Sequence, residues 1–266
     1  MDKPDSLEQL VRENRFTISV VFPLFGALGF VASAEGFLPE ILAFNPLMVI
    51  FGTLVMRLPL ISGIKPLIDV KSGLAILALT LYAYVIEFIG IQTGFPYGEF
   101  SYGVELGPMV YGIPIGLPVF FIPLVLNSVL FISLFEVKGF AKNVFGSLAA
   151  LLAVDSVLDP AAVSLGIWNY SGGFFYGVPL SNFAGWILSG TVSILVLKSA
   201  LDTGRLSERL ENTDYFLDDM VSFVFLWGVV NLYYMNIIPV IVAVLFGAAL
   251  YRNDRFNLAI SELDMV

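Results

Sequence analysis

The chain has 266 residues, 58% hydrophobic and 13% charged, with a net charge of −9 and a mean hydropathy of +0.89. A soluble domain carries about 25% charged residues, so the chain reads as all-α: a polytopic integral membrane bundle, one membrane domain over 1–266. The absence of Cys removes disulfide and thiolate chemistry, the absence of His removes most zinc and non-haem iron sites, and the acidic balance excludes a nucleic-acid partner.

Residues 1–15 are charged, lack a cleavable signal pattern and are expected to be cytoplasmic. Hydropathy and breaker residues then predict eight spans, at about 16–36, 41–61, 73–92, 112–135, 144–167, 180–200, 217–233 and 235–251, with a cytoplasmic tail over 252–266. The last two are short and are split only by the segment from Met235 to Pro239, so seven spans plus a re-entrant piece is the alternative.

All thirteen basic residues fall on one side of this scheme. Lys3, Arg12 and Arg15 precede the first span, and Arg57, Lys65 and Lys71 surround the loop between the second and third. Lys138 and Lys142 follow the fourth, Lys198, Arg205 and Arg209 the sixth, and Arg252 and Arg255 the eighth. The positive-inside rule makes that side cytoplasmic and places both termini inside, as in a multi-pass protein of the cell membrane.

The other side carries no basic residue. Its two long loops, TGFPYGEFSYGVELGPMVYG and NYSGGFFYGVPLSN, are rich in Gly, Pro and aromatics. They are too apolar for solvated loops and read as a cover lying in the membrane interface, where Tyr and Trp concentrate. On the inner side, the segment from Asp202 to Asp214 has mixed charge and reads as a solvated, helical connector. Asp218 and Asp219 open the seventh span, where acids complement the helix dipole; capping is the expected role.

A short internal repeat is visible. Glu87 is followed by Phe95-Pro96-Tyr97 and then Tyr111-Gly112-Ile113-Pro114; Asp159 is followed by Trp168-Asn169-Tyr170 and then Tyr176-Gly177-Val178-Pro179. Each unit reads acid, aromatic-x-Tyr, Tyr-Gly-[Ile/Val]-Pro. Both units share one topology, so any pseudo-symmetry axis lies along the membrane normal.

The fifth predicted span holds Asp155 and Asp159, one helical turn apart on one face. A carboxylate at mid-bilayer costs roughly 2.5–3.5 kcal/mol on insertion scales, so such residues face a protein-lined cavity and are functional candidates. No Lys or Arg is near in sequence to pair with them. At about 1.5 Å per residue, Glu87 in the third span reaches nearly the depth of Asp159. Glu35, Asn45, Asn127, Asn182 and Asn231 are expected to converge on the same outer cavity.

Three readings compete for the acids. They hold helices together as protonated groups, with Pro160 freeing the Ser156 carbonyl nearby. They act as acid and base, with Asp159 the donor and Asp155 or Glu87 its partner. They relay protons or bind a cation in a transporter. The spacing Asp155-x-x-x-Asp159 is also similar to that of membrane prenyltransferases, whose Asp pairs hold Mg²⁺ and a diphosphate. Diphosphate also requires Lys or Arg, and here the basic residues lie on the opposite face, so neither a metal nor another cofactor is expected. A retinal protein needs a mid-membrane Lys, which is missing.

Longer motifs carry a resemblance. Asp155-Ser-Val-Leu-Asp159-Pro160, Gly166-Ile-Trp168-Asn-Tyr170, Tyr176-Gly-Val-Pro179-Leu-Ser-Asn182-Phe-Ala-Gly185-Trp186 and Gly94-Phe-Pro96-Tyr97-Gly-Glu99-Phe-Ser-Tyr102 resemble the membrane carotenoid hydratases of the CruF type, their archaeal members above all. The resemblance runs from about Arg12 to Phe256. More remotely, the chain is similar to membrane lycopene cyclases, which also begin by protonating an alkene. The family implies carotenoid biosynthesis: hydration of the terminal double bonds of a C50 acyclic carotenoid, bisanhydrobacterioruberin, to the tertiary alcohols of bacterioruberin. The partners implied are a long-chain carotenoid and membrane lipid. A proton-coupled transporter or a non-catalytic carotenoid-binding protein is the alternative.

The residues suit alkene hydration, which needs an acid, stabilisation of a tertiary cation, one admitted water and its deprotonation. Asp159, Asp155 and Glu87 are the candidate catalytic groups. Faces of Tyr97, Tyr102, Trp168, Tyr170, Tyr176 and Trp186 are the candidate cation-stabilising, substrate-binding groups, at about 0.5–2 kcal/mol each. Glu99 and Asn182 complete the substrate-binding set.

Overall fold

The structure, a computed structural model, describes residues 6–135 and 137–255. Lys3 and most of the tail expected at 252–266 lie outside the described residues. Among the described residues the chain forms ten α-helices: α1 (Ser6–Glu13), α2 (Phe22–Ala34), α3 (Pro46–Ile64), α4 (Val70–Thr93), α5 (Leu117–Ser133), α6 (Phe140–Ser164), α7 (Leu180–Ala200), α8 (Thr203–Asn212), α9 (Asp218–Tyr233) and α10 (Ile237–Arg252). Five described helical segments are long and apolar enough to cross a membrane: Thr17–Ala34, Pro46–Leu67, Val70–Thr93, Phe140–Ser164 and Leu180–Ala200. Leu117–Ser133 and Ile237–Arg252 are shorter apolar helices. The molecule is a helical membrane protein.

Local chemistry sets the boundaries. The Asn45 side chain accepts from the backbone N–H of Leu47 and Met48, with Pro46 next, and so starts α3. Asp69 and Ser72 form a reciprocal capping box at the start of α4, and Gly94, at φ 74°, ends it in the left-handed conformation. A π-helical turn over Thr17–Val21 leads into α2. It sits where Pro23 has no N–H for the Ser19 carbonyl and its ring would crowd that carbonyl.

Helices α5 and α6 pack along each other at the centre, α9 lies between α2 and α10, and α4 and α7 close the other side. Val125, Leu130, Leu151, Val154, Val157 and Ile194 form fully or nearly fully buried contacts at the middle. The segment expected to be a charged connector is the amphipathic α8, capped by Asp202 and burying Leu206 and Leu210.

Asp218 and Asp219 stand in the first turn of α9, but their carboxyls are used in ion pairs rather than as caps. Arg15 meets Asp218 through two bonds, at 2.7 and 2.9 Å, and also reaches Asp214 at 2.6 Å. Arg57 pairs with Asp219 at 2.7 Å, and Asn127 donates to the other oxygen of Asp219. Two cations and two fully buried acids thus tie α9 to the chain before α2, to α3 and to α5.

The two glycine-rich loops add small strands to the all-α plan: β1 (Phe100–Tyr102), β2 (Met109–Val110), β3 (Ile113–Pro114) and β4 (Trp168–Tyr170). Helix α5 starts later than the fourth predicted span because residues 109–114 make a β2–β3 hairpin. Its Tyr111 and Gly112 have φ of 52° and 80°; in the second loop Tyr176 and Gly177 have φ of 50° and 85°, between the bridged pair Phe175 and Val178. Both Tyr-Gly pairs adopt the left-handed conformations that a primed hairpin turn requires. Strands β1 and β4 pair antiparallel about Ser101↔Asn169. The aromatic-x-Tyr segment of the second repeat unit, Trp168-Asn169-Tyr170, thus pairs with Phe100-Ser101-Tyr102.

Candidate active site

Asp155 and Asp159 lie on one face of α6 and are 1% and 3% exposed. Asn182, in the first turn of α7, donates from its side-chain amide to Oδ2 of Asp155 at 3.1 Å and to Oδ2 of Asp159. Its carbonyl oxygen accepts from the Tyr170 phenol at 3.0 Å. The amide is thereby held in one orientation, nitrogen toward the acids. The two carboxyls are also within hydrogen-bonding reach of each other, and Oδ1 of Asp155 is buried with no partner among the described residues. Two carboxylates at such range repel, so a shared proton is the arrangement that satisfies both.

Glu87 of α4 belongs to the same site. Its Oε1 accepts from the Tyr102 phenol at 2.5 Å. Tyr102 faces Trp168 across the β1–β4 ladder, which spans the ends of α4 and α6. Burial pushes the phenols of Tyr97, Tyr102 and Tyr170 up, so all three stay neutral donors at physiological pH.

A cavity of about 480 Å³ opens beside these groups. Asp159, Glu87, Asn182, Tyr97, Tyr102, Trp168, Tyr170 and Trp186 all line it. Trp186 stacks on Phe121 at 5.5 Å between ring centres, and Phe30 stacks on Trp227 at 6.0 Å. The Trp168 indole N–H is buried without a partner among the described residues. The rest of the wall is mainly apolar, interrupted by Ser33, Asn45, Thr53, Arg57 and Ser222, and suits hydrocarbon with one or two polar atoms at the acid end.

The remaining expected site residues fall elsewhere. Asp155 sits behind Asp159 rather than on the cavity wall. Glu99 is exposed and off the cavity. The Tyr176 phenol accepts from the Ile238 backbone N–H at 3.2 Å and braces the start of α10. Asn45 does border the cavity, but its side chain is committed to capping α3. Asn127 is drawn to Asp219 by the charge there. Asn231 donates to the Val157 carbonyl at 2.8 Å, and Asn236 approaches the Pro160 carbonyl at 3.5 Å, so these amides support the proline-interrupted part of α6. Glu35 accepts from Tyr234 at 3.2 Å at the surface.

Sequence reasoning missed Arg57, Gly29, Gly52, Phe30 and Trp227 on the cavity wall. Arg57 had a visible signal, a cation inside a predicted span; the others carried none beyond hydrophobicity.

Residues 44–250 match the family model described as carotenoid biosynthesis protein. Bisanhydrobacterioruberin hydratase of Haloarcula japonica is 52% identical over 265 residues, which is 98% of this chain and 90% of the relative. No solved structure matches the chain.

Proposed function

The chain belongs to the carotenoid biosynthesis protein family, and on that premise we propose that it is a carotenoid hydratase, a hydro-lyase that adds water to the terminal C=C bonds of bisanhydrobacterioruberin to give bacterioruberin. The observation that carries the reading is the Asp155–Asn182–Asp159 cluster, buried, without a cation among its bonded partners, and set at one end of an aromatic-walled cavity.

The chemistry follows from these positions. Asp159 transfers its carboxyl proton to the less substituted alkene carbon, and the π electrons form the new C–H bond. The positive charge is left on the tertiary carbon, where the faces of Trp168 and Tyr170 stabilise it. A water admitted to the cavity attacks that carbon. Glu87, oriented by Tyr102, takes the proton released from the oxonium. Asp155 shares its hydrogen bond with the donor through Asn182. One water is consumed per end and the site regains its proton by exchange between its carboxyls and solvent. The sum needs neither metal nor organic cofactor.

The same reading places the protein in the cell membrane as eight spans with both termini in the cytoplasm, the short α5, α9 and α10 crossing with the five longer segments. Expression in a host that accumulates bisanhydrobacterioruberin, followed by chromatography and mass measurement, tests the function. A gain of one water per end is expected. Unchanged pigment in a well-folded preparation would favour a carotenoid-binding protein or a proton-coupled transporter instead.

A further inference from the structure

The cavity described above reaches well beyond the acids. Of the residues that line it, those that are strongly exposed are Phe25 at 71%, Leu42 at 44%, Met48 at 60% and Phe51 at 62%. All four stand on α2, on α3 or on the turn between them; the other lining residues are buried or half-buried. The cavity therefore meets the outside through the side of the bundle, between two helices whose exposed faces are hydrocarbon, and not through its polar end.

The depth of this mouth matches that of the acids. Gly29 lies five residues before the end of α2 at Ala34, and Gly52 six residues after the start of α3 at Pro46. Asp159 lies five before the end of α6 at Ser164, and Glu87 six before the end of α4 at Thr93. Each is about 8–9 Å along its helix from the same end of the bundle. Gly29 and Gly52 both border the cavity, and a Cβ at either would have no atom within 4 Å. Their missing side chains leave open space on the path from the mouth to Asp159.

We propose that the passage between α2 and α3 is a lateral portal for the polyene: the reacting end group lies at Asp159 while the rest of the chain runs past Gly29 and Gly52 into the lipid. This rests on the carotenoid reading above. Continuity with the acid site, the hydrocarbon character of the rim and the length of the substrate all point to the polyene as occupant. A cavity of about 480 Å³ holds an end group and a short run of chain, and the remainder of a C50 molecule must pass out through an apolar opening.

The test uses the full-length protein in lipid nanodiscs with two substrates, the long carotenoid and a short prenyl alkene with the same end group. Gly29→Leu and Gly52→Leu should each lower the ratio of long- to short-substrate rate by roughly ten-fold or more, as added methylenes do in a hydrocarbon pocket. Gly29→Ala and Gly52→Ala, which burden folding least, should lower it by less in the same direction. An unchanged ratio in all four variants, whether the rates hold or fall together, overturns the portal. If the wild-type protein hydrates neither substrate, the hydratase reading fails, and the portal is then judged by binding alone. All three tryptophans line the cavity, so bound polyene quenches their fluorescence. Quenching lost in the Leu variants sustains the portal; quenching retained rejects it.

Discussion

The phenol of Tyr102 donates to the carboxyl of Glu87 at 2.5 Å, joining a β-strand of the loop cover to an acid on a membrane-spanning helix. The bond does two things at once. It fixes one oxygen of Glu87 and leaves the other for a water in the cavity. Tyr102→Phe keeps the ring and removes the bond, so Glu87 should be less well aimed and turnover should drop several-fold while pigment binding holds. Glu87→Gln, which removes the proposed base, should cost more. Rates measured on purified protein in nanodiscs check the order; a Glu87→Gln enzyme as fast as wild type removes Glu87 from the mechanism.

Asp159→Asn retains the shape and most of the hydrogen bonding next to Asn182 but has no carboxyl proton to give. Loss of a positioned general acid costs about 10²–10⁴-fold. Turnover should fall by that order, with expression and tryptophan quenching by polyene preserved. Near wild-type hydration in this variant would place the acid elsewhere on the cavity wall.

The Arg57–Asp219 pair lies deeper, with side-chain exposures of 11% and 0%. Arg57→Met leaves a buried carboxylate with Asn127 but without its cation, and breaking a buried pair costs about 3–5 kcal/mol. Arg57→Met with Asp219→Leu removes the stranded charge and should recover most of the loss. Unfolding in mixed detergent measures both. Equal destabilisation in the single and double variants would mean that the pair is not a coupled unit.

The chain has no cysteine, so single introduced thiols report without background. Ser101 and Ser171, in the two loops, are exposed. Ser101→Cys and Ser171→Cys should react with an impermeant maleimide added to intact cells. Reaction only after the membrane is opened would reverse the proposed orientation.

Much of the helix order was legible because an apolar run is the membrane signal itself. The turn at Tyr111-Gly112 was not read as a hairpin, and so the predicted fourth span began too early. Asp155, Asp159, Glu87 and Asn182 were found by depth and by the cost of a buried carboxyl. Depth carries no azimuth, however. Helices such as α5 and α9 are apolar on every side, so no periodicity says which way Asn127 or Asn231 points. Their partners, an ion pair and a helix carbonyl, come from distant parts of the chain. For the same reason Asp218 and Asp219 read as caps until Arg15 and Arg57 were seen beside them.

The confinement of the exposed cavity rim to α2, α3 and the turn between them has a kinetic consequence. If the proposed portal is the route, a carotenoid with two reactive ends presents only one to the acids at a time, and the far end stays in the bilayer. To react there, the molecule must leave, reverse and bind again. Hydration is then two consecutive encounters joined by a free half-finished pigment. That species should rise and fall during a time course, and excess unreacted carotenoid should delay the appearance of the doubly hydrated product by competing for the portal.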